Sequence, residues 1–286
     1  MSSEFPEPIF VCGVGRSGTH VMGRLIAAHP RYHWIRTEVR FHASPGGLPD
    51  LCGGRVSMDE FMRQMRGHWW KRGHGQRQGL QRIIDRESYE AALEEFRAGF
   101  ERDRLGASRR LVRTILDQAA ERHGKPAWVE VTGHAVEQAR FLLSLFPDAR
   151  FINMVRDGRA VVAATLKKSD LTDEPKRALK RWELMVRAAD RSMREIPSGT
   201  MLTVFLDDLT AHDRERTFAR VVEFLEIEDE APMREYFDSE LSGERAHVGQ
   251  WRERMAPADA RMIDRRYRRL VRRMRRAGIS WMPEPG

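Results

Sequence analysis

Short apolar runs alternate along this chain with longer stretches whose apolar residues recur every three or four positions. Pro8-Ile-Phe-Val-Cys-Gly-Val14 is a run of strand formers. A glycine-rich turn, Gly13-Val-Gly-Arg-Ser-Gly18, follows, and from Thr19 to His29 Val21, Met22, Leu25 and Ile26 fall at helical spacing. Residues 31–54 have no period and carry Pro45-Gly46-Gly47, Pro49 and Gly53-Gly54, which mark loops. Residues 57–123 read as mainly helical, with Glu87 to Arg104 and Ser108 to His123 as the clearest pieces. The pattern then predicts a strand at Ala127–Thr132, a helix at Val136–Phe146, and a buried strand at Arg150–Val155. A helix from the Arg156-Asp-Gly-Arg159 turn to about Lys168, a helix at Glu174–Ile196 and a strand at Met201–Leu206 follow. Helices fill most of the remainder.

Strands alternating with helices predict an α/β fold with a central, mostly parallel sheet and right-handed crossovers. No repeat, low-complexity tract or linker divides the chain, so residues 1–286 are expected to form one domain, with about 44–124 as a helical insertion. No apolar stretch is long enough to span a membrane, and no secretory signal is visible at the N-terminus. Cys12 and Cys52 make no disulfide framework, which points to a reducing cytoplasm. The histidines and cysteines show no C-x-x-C or H-E-x-x-H spacing, so no metal site is expected.

The formal net charge of +8 raises the possibility of a nucleic-acid-binding protein. Its position weakens that reading. Residues 252–276 hold eleven arginines against Glu253, Asp259 and Asp264, so this one segment carries the whole excess. There Ile263, Tyr267, Leu270, Val271 and Met274 form a helical stripe behind Pro257, predicting a basic amphipathic helix docked by its apolar side. Such a helix either leaves its arginines solvated or adds positive potential beside a polyanionic ligand.

The strand, glycine loop and helix at the N-terminus suggest a phosphate site, because first-turn amides and the helix dipole favour an anion. Gly13 and Gly18 have the spacing of the nucleotide-triphosphatase loop G-x-x-x-x-G-K-[ST]. Thr19 replaces its lysine and His20 its magnesium-binding hydroxyl, which disfavours a kinase using ATP and magnesium. The cation sits inside the loop instead, as Arg16. The dinucleotide form G-x-G-x-x-G is matched by Gly13, Gly15 and Gly18, but no acidic residue ends a second strand near 35–40.

Phe10-Val-Cys-Gly-Val-Gly-Arg-Ser-Gly-Thr-His-Val-Met22 resembles the 5′-phosphosulfate loop of sulfotransferases that use 3′-phosphoadenosine-5′-phosphosulfate (PAPS), in the Arg-Ser-Gly-Thr form of the tyrosylprotein and bacterial branches. Phe151-Ile-Asn-Met-Val-Arg-Asp-Gly-Arg-Ala160 resembles that family's 3′-phosphate strand and loop, and Val248-Gly-Gln-Trp-Arg252 its Gly-x-Trp segment near the C-terminus. The resemblance implies a P-loop-type nucleotide fold that moves a sulfuryl group from PAPS to a hydroxyl acceptor without a metal. It implies that Val14, Gly15, Arg16, Ser17, Gly18, Thr19 and His20 hold the phosphosulfate, Arg156 and position 164 the 3′-phosphate, and Gln250 and Trp251 the closure over the donor. Position 164 is Ala164 where the family's serine stands, and Val131 in Glu130-Val-Thr-Gly-His134 replaces a lysine of the family's Glu-Lys-Thr-Pro segment.

The acceptor hydroxyl must lose a proton, so a base is required. Thr37-Glu38-Val39-Arg40 matches the Glu-x-Arg arrangement of the tyrosylprotein branch, which implies Glu38 as base with Arg40 as its orienting partner or an acceptor contact. His20 is the second candidate base and His42 the third. Residues 44–124 are expected on the acceptor side, and His68-Trp-Trp-Lys-Arg72 there reads as an acceptor-stacking cluster or as core tryptophans. A small-molecule, glycan or lipid hydroxyl is the expected acceptor, with no nucleic acid as partner.

Overall fold

The first apolar run becomes β1 (Ile9–Gly13), buried at every residue. In this computed structural model, which describes residues 8–37, 39–71, 79–167 and 174–282, β1 is the middle strand of a five-stranded sheet. The others are β2 (Tyr32–Trp34), β3 (Ala127–Val131), β4 (Arg150–Val155) and β5 (Met201–Phe205), in the order β2-β3-β1-β4-β5. Every pair is parallel. The chain runs from β1 to one edge, returns through β3, and passes over β1 to reach β4. That reversal opens a crevice beyond the carboxyl ends of β1 and β4, where open α/β sheets take ligands.

Side-chain alternation along the strands divides the core in two. Ile9, Val11, Val129, Ile152 and Met154 face α1 (Thr19–Ala28), α9 (Arg214–Leu225) and α10 (Ala231–Glu240). Phe10, Cys12, Trp128 and Phe151 face the helical region between β2 and β3 together with α6 (Ala139–Leu145). That region comprises α2 (Leu48–Cys52), α3 (Met58–Gln64) with a π-helical turn at Met65–Trp69, α4 (Arg86–Phe100) and α5 (Arg104–Glu121). A third core joins α7 (Gly158–Leu166) and α8 (Pro175–Glu195) to α11 (Pro257–Arg276). The stripe Ile263, Tyr267, Leu270, Val271 and Met274 is buried there, with Pro257 in the first turn. Among the described residues no helix is long and apolar enough to cross a membrane.

Two departures from the pattern stand out, besides a late start of the expected Val136–Phe146 helix at Ala139. The aperiodic stretch 31–54 contains β2, three residues held by pairing with Ala127–Val129 of β3. The expected helix Glu87–Arg104 ends at Phe100, and Asp103 starts α5 by accepting the Gly106 amide at 2.9 Å. The side-chain cap gives the backbone a better local partner than a continued helix would.

Candidate functional site

Gly13 ends β1 with φ +119°, and a Cβ there would stand 2.3 Å from the Met154 carbonyl oxygen of β4. Only glycine lets the two strands run this close at the point where the chain turns up into the loop. Gly18 closes the loop in the left-handed region (φ +87°) as the N-cap of α1, its backbone pressed toward Leu206. Between them the Ser17 amide donates to the Val14 carbonyl at 3.2 Å. The first-turn amides of α1 have no partner within the helix, which leaves them available to an anion.

A cavity lies on each side of this loop. The first, of about 330 Å³, is bounded by Gly18, Arg156 and Ala164, and by the segment running from Ser242 to Arg254. The second, of about 540 Å³, is bounded by Gly13–Arg16, Arg40, Thr132–His134 and the first turns of α8. Arg16, Thr19 and His20 line both. The helix α7 divides the two along one turn: Ala164 faces the first cavity and Thr165 the second. The Thr165 hydroxyl donates to the Val161 carbonyl at 2.8 Å.

In the first cavity Arg156 follows β4 directly and is buried. Its guanidinium donates to the Arg16 carbonyl at 3.3 Å and to the Ala246 carbonyl, tying the loop to the C-terminal segment. Its Nε has no hydrogen-bond partner among the described residues, and the Asp207 carboxylate stands 3.9 Å away. Burial lowers the Arg156 pKa, with Asp207 and Asp157 opposing and Arg254 and Arg16 adding to the fall. Burial likewise pushes the Asp207 carboxyl up against the pull of Arg156. A buried guanidinium with an unpartnered Nε and two further arginines nearby can take up an anion in the cavity. Arg245 and Arg254 reach the same walls.

Trp251 forms part of the first cavity's wall at 5% exposure, and Gln250 instead contacts Nδ1 of His247 at 3.1 Å through its Oε1. Beneath Trp251 lies Arg159, its guanidinium 4.8 Å from the Trp251 ring and 4.7 Å from the Tyr267 ring. It bonds Asp157 at 2.6 Å and Asp264 of α11 at 2.5 Å. Arg159 thus links α7, the segment bearing Trp251 and α11.

The second cavity depends on a buried carboxylate. Glu130 of β3 is fully buried; its Oε1 accepts the Thr132 hydroxyl at 2.6 Å and the Val39 amide at 3.4 Å, and its Oε2 is 3.2 Å from His42 Nε2. These contacts pin the segment in which Arg40 adopts φ +61° and reaches the cavity. Arg16, Arg40 and His247 all have positive φ and all line the cavities, a concentration of backbone strain typical of functional sites.

Of the residues singled out by sequence, Gly15, Arg16, Gly18, Thr19, His20, Arg156, Ala164 and Trp251 line one or both cavities, and Val14 lines the second from within the core. Ser17 lines neither: it is buried with its hydroxyl lacking a partner among the described residues. Glu38 lies outside the described residues. His42 is fully buried, stacked on Phe10 at 5.6 Å, and lines neither cavity. Trp69 is buried beside Phe61, and Trp70 packs on Tyr89 at 4.6 Å with the Arg86 guanidinium 4.9 Å from its ring. Both tryptophans therefore belong to the helical region's packing. Arg245 and Arg254 in the first cavity, and His134, Arg177 and Arg181 in the second, were not anticipated. Arg177 and Arg181 carried one weak signal, an i,i+4 spacing at the start of a predicted helix.

The model of the sulfotransferase family matches residues 8–231. The protein-tyrosine sulfotransferase of Drosophila melanogaster is 24% identical over 227 residues, 77% of this chain and 38% of its own length. Protein-tyrosine sulfotransferase 2 of Gallus gallus is 26% identical over 234 residues, 79% of this chain and 52% of its own. The chain thus spans about half or less of these curated relatives. Among solved structures, the sulfotransferase domain of the Synechococcus PCC 7002 olefin synthase superposes with a TM-score of 0.59 at 17% identity, covering 92% of this chain and 95% of that one. The sulfotransferase domain from the curacin biosynthetic pathway gives 0.55 at 16%, covering 85% and 83%. These two likenesses carry the five-stranded fold. The family match runs from the start of β1 through both cavities' central loop to the first residue of α10, and over that length the chain belongs to the sulfotransferase family.

Proposed function

We propose that this chain transfers the sulfuryl group of PAPS to a hydroxyl acceptor. One observation carries the reading: a glycine loop bearing Arg16, Thr19 and His20 forms the shared wall of two cationic cavities, one of which ends on the buried Arg156. A donor with phosphate at both ends of its ribose fits this arrangement. Arg156, with Arg245 and Arg254, would hold the 3′-phosphate; the α1 amides, Arg16 and Thr19 would hold the phosphosulfate. The cradle fits the group, since Arg156 Nε lacks a partner among the described residues and burial, with Arg254 and Arg16 adding to it, lowers the pKa. The acceptor would occupy the second cavity, beside Arg40 and Thr132.

In the reaction the acceptor oxygen forms a bond to sulfur while the bond from sulfur to the 5′-phosphate oxygen breaks, releasing 3′-phosphoadenosine-5′-phosphate (PAP). Negative charge grows on that leaving oxygen, where preorganised donors of the loop lower the barrier. The proton goes to a base, for which Glu38 is our first choice and His20, on the wall of both cavities, the second. No divalent ion is required in this scheme.

Calorimetry with PAP in the presence and absence of magnesium tests the donor. Metal-independent binding is expected; tight ATP–magnesium binding with no response to PAP would falsify the reading. Transfer from labelled PAPS to a panel of hydroxyl acceptors then tests the reaction, with Glu38→Gln and His20→Gln separating the two bases.

A further inference from the structure

The arginines of α11 are not scattered over its outer side. Arg265, Arg268, Arg269, Arg272, Arg273 and Arg276 enclose a groove of about 560 Å³ along a helix about 30 Å long. Asp264 takes Arg268 at 3.1 Å and Glu183 of α8 takes Arg273 at 2.8 Å. Among the described residues no acidic partner is found for Arg265, Arg269, Arg272 or Arg276. The neighbouring helix extends the charge: Arg177, Lys180, Arg181 and Arg191 of α8 are exposed. In their midst Leu184, next in chain to Glu183, is 53% exposed.

We infer that the α8–α11 face docks on an anionic lipid surface. Linear polyanions fit it less well. Tyr267 of α11 and Trp182 of α8 are buried, so among the described residues these two helices offer no platform on which the bases of a single strand could stack. The opposite side of α11 is packed into the third core, so the helix does not enter a duplex groove. Two cationic helices side by side meet a plane along both their lengths, and guanidinium forks match lipid phosphates. Leu184 supplies an apolar contact that a headgroup layer accepts and a phosphate backbone does not use. The face is also continuous with the second cavity, because Arg177 and Arg181 line that cavity's wall. Docking would set the acceptor side of the protein at the lipid surface while the first cavity stays open to a water-soluble donor.

Co-sedimentation with phosphatidylserine-containing vesicles, against phosphatidylcholine vesicles alone, tests this. The chain should pellet with the anionic vesicles and be released by salt. The variant R265Q/R269Q/R272Q/R276Q, its fold verified by circular dichroism and melting, should bind about 100- to 1,000-fold more weakly. Leu184→Ser should weaken binding a few-fold at low salt. Absence of vesicle binding at low salt, or an unchanged quadruple variant, overturns the inference. So does tighter binding to a DNA duplex or to heparin than to vesicles at the same salt.

Discussion

The two cavities share a wall but are built by different means. The first is assembled from the ends of consecutive motifs: the glycine loop, the residue after β4, and a C-terminal segment folded back over both. Its central cation is buried, bonded to two carbonyls and opposed by the Asp207 and Asp157 carboxylates. The second takes its wall from the side of a helix and from a segment held by Glu130, and its arginines Arg177 and Arg181 are exposed. A rigid, desolvated cation fits a ligand that never varies. Exposed cations on long side chains fit a ligand whose shape the backbone does not dictate. On the proposed assignment of the cavities, the contrast teaches that donor recognition would be built into the sheet and acceptor recognition added at its margin.

The sharpest test of that division is Gly13→Ala. The added methyl meets the Met154 carbonyl in a backbone conformation alanine avoids, so stability should fall by about 3 kcal/mol or more and both cavities should be lost together. Denaturant unfolding measures this, and a normally stable variant would show the strand contact to be looser than described. Next, Arg156→Ala should weaken PAP binding about 100-fold, since it removes a charged donor and leaves Asp207 buried beside a gap. Acceptor affinity, measured separately, should hardly change.

Asp264→Asn probes the strut under the first cavity. Burial alone would raise this carboxyl, but the hydrogen bonds from Arg159 and Arg268 outweigh it and hold the pKa below the ordinary range. A depressed pKa stabilises the fold above the unfolded-state value and is lost as pH falls through the folded one. The variant should therefore lose about 2 kcal/mol at neutral pH, and the gap from the parent should close on acidification below the normal aspartate range. Melting curves across that range decide it; a gap independent of pH would assign the loss to packing alone.

Arg40→Ala should raise the acceptor's KM roughly tenfold and leave PAP affinity intact, a change of about 1.4 kcal/mol. If PAP affinity falls with it, the two cavities are not separable. The smallest effect is expected from Ala164→Ser, which places a hydroxyl on the wall of the first cavity. PAP should bind a few-fold more tightly by calorimetry.

The same division explains what was legible beforehand. The glycine loop and the Arg156 turn are contiguous segments whose backbone needs are written in adjacent residues, so β1, α1, β4 and their order could be read directly. The parts that depend on tertiary pairing could not. β2 is three residues long, too short for alternation to register, and it exists by pairing with β3. No glycine or proline interrupts Phe100–Arg104, so the break that the Asp103 cap creates is carried by a single aspartate among charged residues. Glu130 and His42 carry no local sign that they meet, and nothing adjacent to His42, the third candidate base, marks it as fully buried. Arg245 and Arg254 were hidden by abundance, in a chain with 50 Lys and Arg where one loop arginine resembles another. Glu38 rests on its place in a Glu-x-Arg match.

The central position of β1 has a consequence for the order in which the molecule comes into being. The strand is made first, yet it is flanked on both sides by strands made much later; the Cys12 thiol meets the Ile152 carbonyl across 140 residues of chain. Contacts of that sequence separation are slow to form, since a long loop must close before they are rewarded. A nascent chain that has left the ribosome only as far as α6 holds a finished glycine motif without the Met154 carbonyl that shapes it or the Arg156 fork that braces it. Nucleotide binding should thus arise late in synthesis and abruptly, so that incomplete chains do not sequester the donor.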